Sequence, residues 1–99
     1  MTITDHRAAA HDRVNSLIQL LASRQGGPDL APVIAECESL ATAISAFHME
    51  GIRFRMFNVD RLLSRADLAI PDEVRETFAL VRQELEAAGF HTRSHQAPS

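Results

Sequence analysis

Two basic side chains, His48 and Arg55, lie seven residues apart in a segment whose apolar residues repeat at three- and four-residue spacing. On a helix these positions share one face, because seven residues make about two turns. An Arg guanidinium cannot lose its proton, so burial on an apolar face requires an anionic partner. The pair therefore predicts a pocket for a carboxylate or a phosphate, and Gly51 between them offers room for a close approach. The candidate ligand-binding residues are His48, Gly51 and Arg55.

A purely structural interpretation of the same pair stays open. In that interpretation Arg55 forms an ion pair with a carboxylate from another helix, and Glu84 is the obvious candidate because it lies at the edge of an apolar face. His48 would then donate a hydrogen bond to a backbone carbonyl or to that carboxylate. If the chain dimerises, the groups are doubled across the axis and the predicted pocket becomes more basic.

Other chemistries find little support, and we predict no catalytic residue, no metal site and no cofactor. His48 and Glu50 are two positions apart and face different directions on a helix, while the pairs His6 and His11, and His91 and His95, are typical of surface histidines. The single cysteine, Cys37, has apolar helical neighbours and predicts a small core residue. The chain has ten Arg and no Lys, so lysine chemistry is excluded, and the protein is more consistent with a non-enzyme.

Composition narrows the class of protein. The chain has 99 residues and is 45% hydrophobic, which allows one domain with a modest core. A net charge of -3 argues against a general nucleic-acid binder. The first residues lack the order of a signal peptide, and no apolar run is long enough for a membrane span. We therefore expect a cytoplasmic protein without a membrane partner.

The elements that must position these residues are all helical, because strand-type alternation is missing. We expect three helices: the first from about Asp5 to Arg24, a long central one from Asp29 to Arg65, and the third from Pro71 to Ala88. Gly89 suits the left-handed position after the third helix, with Phe90 folding back on it as in a Schellman motif. The predicted domain is 1–90, followed by a flexible tail, 91–99.

The length of the central helix leads to a prediction about assembly. Two outer helices would cover it as hairpins, yet two-helix layers do not close a core. Its apolar residues also occupy most of its circumference, among them Phe54, Met56 and Phe57. We therefore expect a homodimer that completes a four-helix-type bundle. The alternative is a kink near Gly51 that folds the chain into a compact four-helix monomer.

Two partial resemblances provide the alternative functions. The run from Cys37 to Phe47, with its Ile-Ser-Ala pattern, and the run 77–82 resemble helices of the copper-sensing and formaldehyde-sensing helical repressors. That resemblance implies an all-helical dimer or tetramer that binds DNA, although Leu62 and Ala66 stand near where the copper sensors place a His and a second Cys. The spacing of Arg7 and Arg24 is similar to that in the first helix of helical chorismate mutases, which also need a lysine.

These observations predict a small cytoplasmic homodimer that acts as an interaction or regulatory module and carries a buried anion pocket. Its partners would be a second copy of itself, a small anionic ligand or another protein, with nucleic acid disfavoured. A ligand- or thiol-sensing DNA-binding repressor is the first alternative. A small helical enzyme acting on an anionic metabolite is the second.

Overall fold

The described part of the chain is all-helical. The structure is a computed structural model that describes residues 5–23, 30–65, 68 and 70–90. Its helices are α1 (His6–Ser23), α2 (Ala31–Ser45), α3 (Met49–Leu63) and α4 (Asp72–Ala87). None of these helices is long and apolar enough to cross a bilayer. The predicted end of the first helix at Arg24, the predicted start of the central helix at Asp29 and the predicted tail 91–99 lie outside the described residues.

One core joins the four helices, which form a compact bundle. α1 packs against both α2 and α4, and α2 packs against α3. Polar contacts link α3 to α4. Arg82 of α4 forms an ion pair with Asp60 of α3, and Arg75 of α4 donates a hydrogen bond to the backbone carbonyl of Leu63 at 2.6 Å. Each helix contributes apolar residues at helical spacing. The largest fully buried side chains are Val14, Leu17, Leu21, Val33, Leu40, Ile44, Ile52, Met56, Val59, Val74, Val81 and Leu85.

The prediction of one long central helix is wrong. The chain forms two helices there, because α2 ends at Ser45 and α3 begins at Met49. Phe47 takes a left-handed conformation with φ of 56°, and the N–H of His48 donates to the carbonyl of Ala43 at 3.0 Å. These are the features of a Schellman motif, with Phe47 at the position where glycine is usual. The fold therefore has four helices rather than three, and its break lies just before Gly51, near the kink considered as the alternative.

The end of α4 confirms the prediction made for it. Gly89 has φ of 97°, its N–H donates to Glu86, and the N–H of Phe90 donates to the carbonyl of Leu85 at 2.9 Å. Phe90 is buried against the core. The two Schellman motifs thus end α2 and α4 with the same hydrogen bonds but different residue types at the left-handed position.

Candidate functional site

The three candidate residues lie together at the corner between α2 and α3. His48, Gly51 and Arg55 line an open depression of about 420 Å³. Its other wall consists of small and hydroxylated side chains of α2 and of the residue that follows it. These are Ser39, Thr42, Ala43 and Ala46.

The sequence predicts that His48 projects from a buried apolar face, and this prediction is wrong. It is the N-cap of α3, its backbone is extended, and its side chain is exposed. The imidazole Nδ1 accepts a hydrogen bond from the backbone N–H of Gly51 at 2.8 Å. This bond satisfies one of the N–H groups that the first turn of a helix leaves without a partner. The other ring nitrogen, Nε2, is the atom that could contact a ligand in the depression.

Gly51 is explained by close packing on two sides. A Cβ at this position would lie 2.6 Å from the His48 Nδ1 and 3.3 Å from the Cβ of Ala43. The first distance is too short for two atoms that are not bonded, so the imidazole would have to move. The room that the sequence assigned to a ligand is therefore occupied in part by the capping imidazole and by α2.

Arg55 has an internal partner, but it is Glu36 rather than the expected Glu84. The guanidinium Nη1 lies 3.1 Å and 3.3 Å from the two carboxylate oxygens of Glu36, which also accepts from the amide of Asn58 at 3.1 Å. The Arg55 side chain is 35% exposed and that of Glu36 is 24% exposed. The ion pair therefore links α2 to α3 at the edge of the core rather than inside it. Glu84 instead accepts from His6 of α1 at 2.7 Å.

These contacts limit what the depression can do chemically. One anion, the Glu36 carboxylate, already balances the Arg55 charge on the side facing α2. The guanidinium has five N–H donors, so some could still reach an added carboxylate or phosphate together with His48 Nε2. The geometry permits weak recognition of an anion from solvent. Among the hydroxyl groups that line the depression, that of Thr42 donates to the backbone carbonyl of Glu38 rather than to His48.

A second surface lies on the side of α3 that faces away from the core. Phe54 is 56% exposed and Phe57 is 37% exposed, whereas Met56, which the sequence had grouped with them, is fully buried. The guanidinium of Arg61 lies over the Phe57 ring at 5.6 Å from its centroid. Glu50 lies on the same side in the first turn of α3. We call Glu50, Phe54, Phe57 and Arg61 the α3 outer face.

The helical periodicity contained the signal for this surface. Residues Ile52, Met56 and Val59 repeat at core spacing, and Phe54 and Phe57 fall on the opposite side of the same helix. The two sides were not distinguished from the sequence, because all of these residues were expected on a single long helix that needed neighbours on every side.

Cys37 and the histidines do not assemble into a reactive or metal-binding cluster in the described residues. Cys37 is fully buried, and this burial together with the charges of Glu36 and Glu38 raises the pKa of its thiol to about 12. A thiol held neutral is a poor nucleophile and a poor metal ligand. No group of three or more potential ligands for a metal ion occurs within the ranges that the structure describes.

Comparisons with known proteins return no family model, no curated protein and no solved structure that matches this chain. The geometry of its own residues is therefore the basis for assigning a function. Two features of that geometry bear on function: the depression between α2 and α3, and the α3 outer face.

Proposed function

We propose that the protein is a small cytoplasmic interaction module that forms a homodimer through the α3 outer face. One observation carries the proposal. Phe54 and Phe57, one turn apart on α3, are exposed on the side opposite to the core. The core that the described residues form is complete without them, and a second chain that covered both rings would bury the surface that they leave exposed.

The residue types on this face are those that contribute most to protein interfaces. Aromatic side chains and Arg are enriched in the buried centres of interfaces, where a few such residues supply most of the binding free energy. Phe54 has the Arg55 guanidinium 5.1 Å from its ring centroid, and Phe57 has that of Arg61 nearby. Covering both rings removes apolar surface from water, which favours association.

The charges on the α3 outer face favour a second copy of the chain as its partner. Glu50 lies in the first turn of α3 and Arg61 in the last turn, so the face carries opposite charges near its two ends. Such a face is complementary to itself when two copies meet about a two-fold axis. A strongly acidic or strongly basic partner would instead meet one unfavourable charge.

Sedimentation velocity on the purified chain, from micromolar to millimolar concentration, tests the proposal. We expect wild type to change from about the 10.9 kDa of one chain towards twice that mass. Phe54→Glu and Phe57→Glu should stay monomeric with an unchanged helical circular dichroism spectrum. Leu80→Glu is the matched control, because Leu80 is 38% exposed on α4, away from this face, and this variant should dimerise like wild type. A wild-type mass of one chain at every concentration would contradict the proposal.

The second candidate function is anion binding in the depression between α2 and α3, which the grouping of His48, Gly51 and Arg55 there favours. Thermal melts with phosphate, citrate and small dicarboxylates test it. We expect an anion to raise the melting temperature of wild type and of Arg53→Met, which changes a partly buried arginine of α3 outside the depression. The same anion should not stabilise Arg55→Met. An equal response in all three proteins would remove this candidate.

A further inference from the structure

The four residues of the α3 outer face are spaced four, three and four positions apart along the helix. Alternating steps of four and three positions are typical of a seam between two helices that pack closely along their lengths. The order of residue types along the seam is acidic, aromatic, aromatic, basic: Glu50, Phe54, Phe57, Arg61. The core-facing residues of α3 form a separate seam that α2 and the rest of the bundle already cover.

The order is symmetric about one point of the helix. Phe54 and Phe57 are equally far from the midpoint between positions 55 and 56, and Glu50 and Arg61 are equally far from the same midpoint. At a rise of about 1.5 Å per residue, the two aromatic residues lie about 2 Å on either side of it, and the two charged residues about 8 Å. A two-fold axis through this midpoint, perpendicular to α3, would bring each residue level with its counterpart on the second copy.

This symmetry distinguishes between the two possible directions of packing. In an antiparallel pair, Phe54 meets Phe57 of the partner subunit, and Glu50 meets Arg61 of the partner subunit, each contact occurring twice. In a parallel pair at the same register, Glu50 meets Glu50 and Arg61 meets Arg61. Like charges that face each other across a helix pair are destabilising, so the charges favour the antiparallel direction.

We infer that two copies of the chain pack α3 against α3 antiparallel, with the two-fold axis between Arg55 and Met56. This inference rests on the proposed homodimer and adds its register. The centre of the contact is a cluster of four phenylalanine rings, two from each copy. Two ion pairs between Glu50 and Arg61 flank this cluster and fix the direction and the register. The depressions at His48 then lie towards opposite ends of the paired helices.

Charge reversal tests the pairing. Glu50→Arg and Arg61→Glu each replace two attractive contacts by two repulsive ones, so we expect the dimer dissociation constant of each variant to rise about tenfold. The double variant, with both changes, restores opposite charges and should return to within about threefold of wild type. Glu76→Arg, a charge reversal on the exposed side of α4, should leave the dissociation constant unchanged. Under parallel packing, neither single variant would weaken the dimer, because like charges meet before and after each change.

Distances between spin labels give a second readout that does not alter the charges. With a nitroxide at Ser64→Cys in a Cys37→Ala background, antiparallel packing places the two labels at least about 25 Å apart, and parallel packing places them about 10 Å apart. A dimer with the short distance, or with unaffected single charge variants, would overturn the register and leave self-association standing. A chain that is monomeric at every concentration would overturn the proposed function together with the register.

Discussion

The imidazole Nδ1 of His48 accepts a hydrogen bond of 2.8 Å from the N–H of Gly51, and a Cβ on residue 51 would lie 2.6 Å from that same nitrogen. The cap and the glycine therefore depend on each other. A side chain at position 51 would push the imidazole away from the N–H that it satisfies, and a different cap would remove the closer of the two contacts that favour a glycine. Together they begin α3 immediately after the left-handed residue that ends α2.

The first prediction is a coupling between these two residues. His48→Ala should lower the free energy of unfolding by about 1 kcal/mol, because the first turn of α3 loses its cap. Asn can also act as an N-cap, so His48→Asn should retain most of this stabilisation. Gly51→Ala should destabilise wild type although alanine favours helices, because its Cβ displaces the cap. In the His48→Ala background that displacement is absent and only the 3.3 Å approach to the Cβ of Ala43 remains, so Gly51→Ala should cost less than in wild type. Urea unfolding of the four proteins measures the coupling, and additive effects would show that the contact contributes little.

The second prediction concerns the ion pair between Arg55 and Glu36. Both side chains are partly exposed, so solvent screens the pair, and Arg55→Met should cost about 1 kcal/mol rather than the larger loss expected for a buried pair. Glu36→Gln should lose the same ion pair, so the double variant should lose less stability than the sum of the two single variants. This difference, the coupling energy between Arg55 and Glu36, should become smaller at high salt. Chemical denaturation at low and high sodium chloride concentration checks it. An Arg55→Met variant more stable than wild type would instead favour a guanidinium waiting for an anionic ligand.

The third prediction compares the two left-handed residues that end α2 and α4. Gly89 has open space around its Cα, so Gly89→Ala isolates the backbone penalty and should cost about 1 to 2 kcal/mol. Phe47→Gly relieves the same penalty. It also loses the contact of the Phe47 ring with the Arg7 guanidinium, 4.2 Å from the ring centroid, and adds freedom to the unfolded chain. We therefore expect Phe47→Gly to be close to neutral in thermal unfolding. A loss as large as that of Gly89→Ala would mean that the ring contributes more than this contact indicates.

These two helix ends explain what the sequence could and could not predict about the fold. The end of α4 was predictable because glycine is the residue that most readily adopts a left-handed conformation. The end of α2 was not, since Phe47 gives no local signal for that conformation and the apolar periodicity continues from Ile44 to Ile52. The break depends on tertiary packing of α2 against α3, which overrides the local preference to continue the helix.

The candidate site was predictable to a similar extent. The expected pairing of Arg55 with a carboxylate from another helix is confirmed, although its side chain lies at the edge of the core rather than on a buried face. The identity of the partner depended on the turn: with α2 folded back on α3, Glu36 is beside Arg55, while Glu84 faces α1. His48, which the sequence placed on an apolar helix face, is instead the exposed N-cap of α3 for the same reason.

The last prediction concerns the ionisation of the Cys37 thiol and its effect on stability at alkaline pH. Its burial, with a contribution from the charges of Glu36 and Glu38, raises the pKa of the thiol from 9.0 to about 12. Unfolding returns that pKa to its ordinary value, so between about pH 9 and 12 the unfolded chain binds fewer protons than the folded one, and stability falls as the pH rises.

No other side chain in the sequence titrates in the lower part of this range, because the chain has no Lys and no Tyr, and Arg stays charged. We therefore expect the free energy of unfolding of wild type to fall with a slope approaching about 1.4 kcal/mol per pH unit between about pH 9.5 and 11. Cys37→Ala should be less stable at neutral pH, because it leaves a small cavity, and nearly independent of pH over the same interval. Urea unfolding of both proteins at several alkaline pH values measures the two slopes. Equal slopes would mean that the folded thiol ionises as readily as the unfolded one, and that the core around Cys37 admits water.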